Sequence, residues 1–383
     1  MRTHTKTTIR VGIQLLAVGV VSLSVATVAM PGIGSAVAAP VFAWGTNATG
    51  ELGNGTNTNS TVLTPVSGLS GVKALSAGFG HSLALLPTGK VRAWGWNNYG
   101  QLGINTLVNH NMPVPVPNLV NVVAISAGVY HSMALLSNGK VKSWGRNNYG
   151  QLGNGTNTDS KVPVLVGGLT GVVAIAAGQQ FSIALLSNGT VKAWGRNNFG
   201  QLGNGTNTNS SVPVTVSGLS GITAISAGGF HALAESAGSV RAWGYNFYGE
   251  LGNGTNTNSN VPVTVGGLAG ATAIAAGGYH SLALLTGGSV RAWGVNVDGA
   301  LGDGTNTNSN VPVTAGTPPG VTAISAGADH SLALLNGSIF AWGLNSSGQL
   351  GTGNLTSSNL PLFVSGSIRV SIVAAGLYHN LAS

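Results

Sequence analysis

Seven Trp-Gly pairs recur along this chain, at Trp44, Trp94, Trp144, Trp194, Trp243, Trp293 and Trp342, spaced by 50, 50, 50, 49, 50 and 49 residues. An Asn follows two residues after the Gly of each pair, from Asn47 to Asn345, and then a Gly-x-Leu-Gly such as Gly150-Gln151-Leu152-Gly153. A period of roughly 40–50 residues made of short strands specifies a propeller or a solenoid, in which each unit buries its apolar face only against its neighbours. Such a fold grows by adding units, so a length of 383 residues need not mean several domains.

One unit, Val122 to Val166, predicts four strands. Val122–Ala127 is small and apolar, as the crowded axis of a ring requires. His131–Leu136 reads as a buried strand, and Ser137-Asn138-Gly139 is a tight turn, Asn-Gly being the strongest short hairpin signal. Val141–Trp144 is the third strand. A Gly/Asn/Thr loop leads to Val162–Val166, where Pro163 suits an outer edge that needs no donor. The ends decide between ring and solenoid. Val41–Trp44 is a third strand and His379–Ser383 a second strand, so one blade is completed by both ends of the chain. The expected fold is all-β, a seven-bladed propeller of four-stranded blades.

Charged residues make up 6% of the chain, against roughly 25% in ordinary soluble domains, while 43% hydrophobic content excludes a disordered chain. Arg2, Lys6 and Arg10 precede an apolar stretch from Val11 to Met30, broken by Pro31-Gly32 and followed by Ala36-Val37-Ala38, a small-x-small cleavage pattern. Residues 1–38 are expected to be a signal peptide and 39–383 a single propeller domain, secreted or associated with the cell envelope. Twenty apolar residues are also long enough to span a bilayer, which leaves retention as an anchor open. Without the leader, 12 basic residues face 7 acidic ones, a charge of +5 scattered singly, which does not mark a nucleic-acid surface. There is no Cys, so neither disulfides nor thiol chemistry contributes.

The Ala-Gly-x-x-His-Ser-x-Ala-Leu and Trp-Gly-x-Asn-x-x-Gly-Gln-Leu-Gly patterns resemble the regulator of chromosome condensation repeat family from about residue 41 to the end. The resemblance implies a seven-bladed propeller closed by strands from both termini.

Catalytic signals are sparse. Seven carboxylates in the whole chain make an acid/base pair improbable by number alone. His-Ser neighbours such as His81-Ser82 and His280-Ser281 point to opposite faces of a strand, so neither serves the other. One His per blade (His81, His131, His231, His280, His330, His379) cannot converge on one ion, because packed sheets stand ~10 Å apart and zinc holds its ligands at ~2.0 Å. A histidine hydrogen-bonded at the strand start is the expectation, with Phe181 at that place in one blade. The Asn154–Ser160 loop lacks the carboxylates of a calcium loop and the Lys of a phosphate loop. Basic residues recur in the third strand at Arg92, Lys142, Lys192, Arg241 and Arg291; stems packed along the strand with snorkelling charges explain them. No catalytic residue, metal or cofactor is assigned.

Positions that vary between blades can carry recognition. The Ala-Gly-x-x and Trp-Gly-x turns, with the residue before the next Gly, fall on one rim. They contribute Trp96, Tyr99, Tyr130, Arg146, Tyr149, Arg196, Phe199, Phe230, Tyr245, Tyr279, Asp329 and Tyr378, with Tyr248 and Asp298 beside them. Aromatics with Arg are the composition of protein-binding hot spots. The segment Ile104 to Pro117 departs most from the repeat and is expected to add His110 and Met112 to that rim. The function expected is a monomeric, non-catalytic module binding a protein or a cell-envelope ligand, without nucleic acid and without membrane beyond the leader. An exported enzyme inhibitor is the alternative. By resemblance to β-lactamase-inhibiting propellers, Tyr130, Phe230, Tyr279 and Tyr378 occupy the contact positions. Nucleotide exchange, suggested by the family's name, needs an intracellular GTPase and an inserted wedge, and no insertion interrupts these repeats.

Overall fold

A computed structural model describes residues 18–19, 39–367 and 369–383. The leader's basic segment and the cleavage pattern at Ala36–Ala38 lie outside the described residues. All described elements are strands, and no helix among them is long and apolar enough to cross a membrane. They form seven sheets, each a four-stranded antiparallel blade, six of them in sequence order from the axis outwards. The blade carrying Trp144 consists of Val122–Ala127, His131–Leu136, Val141–Gly145 and Ser160–Leu165. The outer strand thus starts two residues earlier than expected. In the blade carrying Trp243, Val18–Gly19 adds a short parallel strand beside Ala224–Ile225 at the inner edge.

The ring closes as expected. Pro40–Gly45 pairs with His379–Ala382 on one side and Ser60–Ser70 on the other, and Val373–Ala375 completes that blade at the axis. Its joints match the others, since Trp44 Nε1 donates to the Gln349 carbonyl of the preceding blade at 2.9 Å.

Six of the seven joints between blades are a buried three-part lock. Trp144 Nε1 and Ser132 Oγ both donate to the Gln101 carbonyl of the preceding blade at 2.8 Å, and His81 Nε2 meets the same Ser132 Oγ at 2.8 Å. All three side chains are fully buried. The serine's one proton goes to the carbonyl, so the imidazole must donate from Nε2 and keep Nδ1 bare. Nδ1 is without a hydrogen-bond partner in all six histidines. It lies against the Gly of Ala-Gly. A Cβ at Gly128 would meet the Gly178 carbonyl of the next blade and come within 2.8 Å of His131 Cε1, which fixes that glycine.

The lock recurs as His131–Ser182, His231–Ser281, His280–Ser331 and His379–Ser82, and with Asn380 Oδ1 as acceptor for His330. The seventh joint keeps the Trp bond, Trp243 Nε1 donating to the Gln201 carbonyl at 2.9 Å, but has an apolar pair in place of His and Ser. Phe181 replaces the His, and Ala232 of the next blade replaces the Ser; both belong to one hydrophobic cluster. The donor and its acceptor are absent together, which leaves neither buried and unpaired.

The Asn of each Trp-Gly-x-Asn fastens the long loop. Asn147 is fully buried, its Oδ1 accepts the Leu152 N–H at 2.8 Å, and its Nδ2 donates to the Thr156 and Thr158 carbonyls at 2.9 and 3.0 Å. Side-chain-to-backbone bonds of this kind account for the loop's composition.

Candidate functional site

The Ala-Gly-x-x and Trp-Gly-x turns meet on one face around the mouth of the central channel, a cavity of about 320 Å3 bordered by the innermost strands of all seven blades. Part of its wall is tied between blades. Ser76, Ser126, Ser226 and Ser325 accept the backbone N–H of Ala127, Ala177, Ala276 and Ala375 in the following blade at 2.9–3.0 Å.

All twelve rim residues expected from sequence are half-buried on this face. They group into two aromatic clusters. In the first, Trp96 lies 5.5 Å from Tyr99 and 5.7 Å from Tyr130, and Phe79 joins Trp96, Tyr130 and Tyr378 at 5.7–6.1 Å. The Arg146 guanidinium stands over Tyr99 at 4.6 Å and over Tyr130 at 5.1 Å. In the second, Phe199 lies 5.0 Å from Tyr245 and 5.9 Å from Phe230, which is 5.7 Å from Tyr279. Arg196 sits among Tyr149, Phe199 and Phe230 at 5.2, 5.5 and 5.7 Å, and donates to Gln180 Oε1 at 2.8 Å. Cation–π contacts of this kind hold both arginines within the face.

The remaining sector is acidic. Burial, aided by Asp298, pushes the Asp329 carboxyl up to about 6. Burial also raises the Tyr279 and Tyr378 hydroxyls, with Asp329 the next contributor at each.

Sequence reasoning missed Glu250 and Phe247. Glu250 stands where Gln101, Gln151, Gln201 and Gln349 stand in other blades, which was the available signal. Like Gln101 Oε1 with Tyr99, its Oε2 accepts the N–H of the residue two before, Tyr248, at 2.9 Å. Burial pushes Glu250 up to about 7, so near neutrality the protonated form, which mimics the amide, is about half populated. Phe247 is 61% exposed and stacks on Tyr245 at 6.5 Å.

One expectation needs correction. His110 and Met112 do not join the rim: His110–Pro115 is the outer strand of its blade, with His110 opposite Gly95, so both lie at the circumference. The His-Ser neighbours do not serve each other within a strand; five histidines instead reach a serine of the next blade, and His330 reaches Asn380. The third-strand cations point elsewhere than the face. Lys192 Nζ donates to Thr215 Oγ1 at 2.7 Å and Arg241 to Thr264 Oγ1 at 2.6 Å; Arg291 does the same to Thr314. Phe340, in one of these places, packs on Phe363 at 6.1 Å.

A family model described as RCC1-like domain matches residues 39–273, and the regulator of chromosome condensation (RCC1) repeat matches residues 287–334 and 336–383. Human WBSCR16 is similar at 28% identity and a TM-score of 0.82, over 90% of this chain and 98% of that one. Saccharomyces cerevisiae Prp20p, a structure described with its binding properties to Gsp1p and histones, is similar at 24% identity and 0.81, over 91% and 92%. Yeast RCC1 (Prp20) bound to Kap60 is similar at 21% and 0.83, over 100% and 96%. These two likenesses concern the fold alone. No curated protein sequence matches the chain.

Proposed function

The chain belongs to the RCC1-like domain family, whose propellers typically bind proteins, and from that premise we propose an exported, non-catalytic propeller that holds a protein partner on its aromatic face. The observation that carries the reading is the face itself. Two clusters of half-buried rings share one surface with two arginines, at places that the fold does not require to be aromatic. Gly80 and Gln180 occupy the place of Tyr130 in neighbouring repeats. Buried aromatic anchors of this kind concentrate binding energy.

Non-catalytic action is supported by the fate of the His–Ser pairs. They are the nearest approach to a base beside a nucleophile, yet they are fully buried, and each serine proton is committed to a backbone carbonyl. Inhibition of an exported enzyme is the second form of the same activity. It is favoured by Tyr130, Phe230, Tyr279 and Tyr378 sharing this face.

Cross-linking in culture medium and cell envelope, followed by calorimetry with the recovered partner, tests the face. Tyr130→Ala with Tyr279→Ala is expected to weaken binding at least tenfold, as loss of anchors worth ~2 kcal/mol would, and to leave the melting temperature nearly unchanged. Unfolding by the pair, or undiminished affinity, would place recognition elsewhere. Export is tested by the N-terminal mass of the extracellular protein. Cleavage near Ala38 is expected, and an intact Met1 would overturn it.

A further inference from the structure

Two of the repeats place a guanidinium of the chain itself into a ring-lined seat on the binding face, and a third repeat builds the same seat without one. The backbone N–H of Arg146, Arg196 and Val295 each bonds the carbonyl of the last residue of its own Ala-Gly-x-x turn: Tyr130, Gln180 and Tyr279. These three residues therefore occupy equivalent places. Arg146 is held by the rings of Tyr99 and Tyr130. The equivalents around Val295 are Tyr248 and Tyr279, again two tyrosines, edge to face at 6.4 Å. Arg196 is flanked by Phe199 and Phe230. Their equivalents around Val295 are Asp298 and Asp329, close enough that Asp298, after burial, disfavours ionisation of the Asp329 carboxyl. The two rings that hold a cation in one blade are thus kept, two carboxylates are added, and a short aliphatic side chain replaces the cation.

We propose that this seat binds an arginine side chain presented by the protein partner. Rings and carboxylates together favour a cation, and the planar guanidinium can stack on tyrosine while donating to both aspartates, which an ammonium does less well. The proposal rests on the protein-binding reading of the face and names one residue type that the partner must bring.

N-acetyl-arginine-N-methylamide, its lysine counterpart and its neutral isostere with citrulline serve as probes, titrated into the purified protein and followed by NMR at the Val295 and Asp329 amides. Saturable binding of the arginine probe is expected, about fivefold tighter than the lysine probe, with no saturation by citrulline. Asp298→Asn with Asp329→Asn should weaken it by about fivefold or more. Val295→Arg should abolish it by filling the seat from within, at an intact fold, since Arg already stands at that place in two blades. Absence of saturable arginine binding, equal binding of citrulline or lysine, or full binding by Val295→Arg would overturn the proposal. The probes need no partner, so failure here leaves the aromatic face standing. A partner lost with Tyr130→Ala but indifferent to the aspartate pair would remove the arginine assignment alone.

Discussion

Lowering the pH from 7.5 to 5 is expected to remove most of the folding stability of this protein. Burial holds His81, His131, His231, His280 and His379 down to about 3 and His330 to about 4, against an ordinary value of 6.5. The unfolded chain takes up a proton on each as the pH falls through 6.5, and the folded chain does not until far lower. Their contribution is full above pH 6.5 and declines steadily below it. Two carboxyls act in the opposite sense. Glu250, pushed up to about 7, and Asp329, pushed up to about 6, keep protons that the unfolded chain releases, so they favour the fold as the pH falls. Six against two leaves a net uptake of about four protons on unfolding near pH 5.5. At ~1.4 kcal/mol per proton and pH unit, the loss between pH 6.5 and 5 is on the order of 5–10 kcal/mol, comparable with the ~5–15 kcal/mol of a whole domain. Urea titrations across this range measure it; a flat profile would refute the lock as drawn. His131→Phe with Ser182→Ala copies the apolar joint of Phe181 and Ala232, and should reduce the net uptake by about one proton.

Removal of residues 40–70 is expected to abolish cooperative unfolding altogether. It deletes the outer half of the blade that closes the ring, together with the Trp44 bond to Gln349 and the part of the hydrophobic cluster that Trp44 fills between two blades. It also bares His379–Ala382 as an unpaired edge, open to pairing with another chain. Size-exclusion chromatography and thermal melts should show oligomers and a broad, shallow transition. Trp44→Ala is the milder form, expected to cost ~3–5 kcal/mol while the ring stays closed. A sharp transition in the deleted protein at the parent temperature would mean that the remaining blades hold the ring unaided.

Most of the fold was legible because its signals are local and repeated. Trp-Gly, Asn-Gly and the strand-ending Pro mark one unit, and the mismatch of the two chain ends forces closure. The lock was not legible, because its parts stand about 50 residues apart in different repeats, whereas four repeats display His beside Ser and draw attention to the pair within one strand. The clue lay in two exceptions, Phe181 and Ala232, which are informative only when seen as one event. Rim membership followed from variability between blades, since turns that carry no joint are free to change. Which rings touch, and that Arg146 and Arg196 are held by them, depends on side-chain directions that spacing does not encode. The displaced His110 and Met112 follow the same logic. A segment reads as a loop when its pattern departs, yet its backbone still completes the outer strand that the sheet requires.

The joint of Phe181 and Ala232 also bears on how such a chain is inherited. A recombination event copies a stretch of gene, and here a copied repeat carries the histidine for one joint and the serine for the joint before it. A single duplicated repeat therefore always brings two half-locks, each of which must find its complement in a neighbour. Identical repeats meet that condition automatically, which lets them multiply without disturbing the ring. An altered joint does not: the Phe and the Ala lie in consecutive copies and can be transmitted intact only by an exchange spanning both. The unit that multiplies and the unit that packs are offset from one another. A paired departure such as this one therefore has to be copied as two neighbouring repeats.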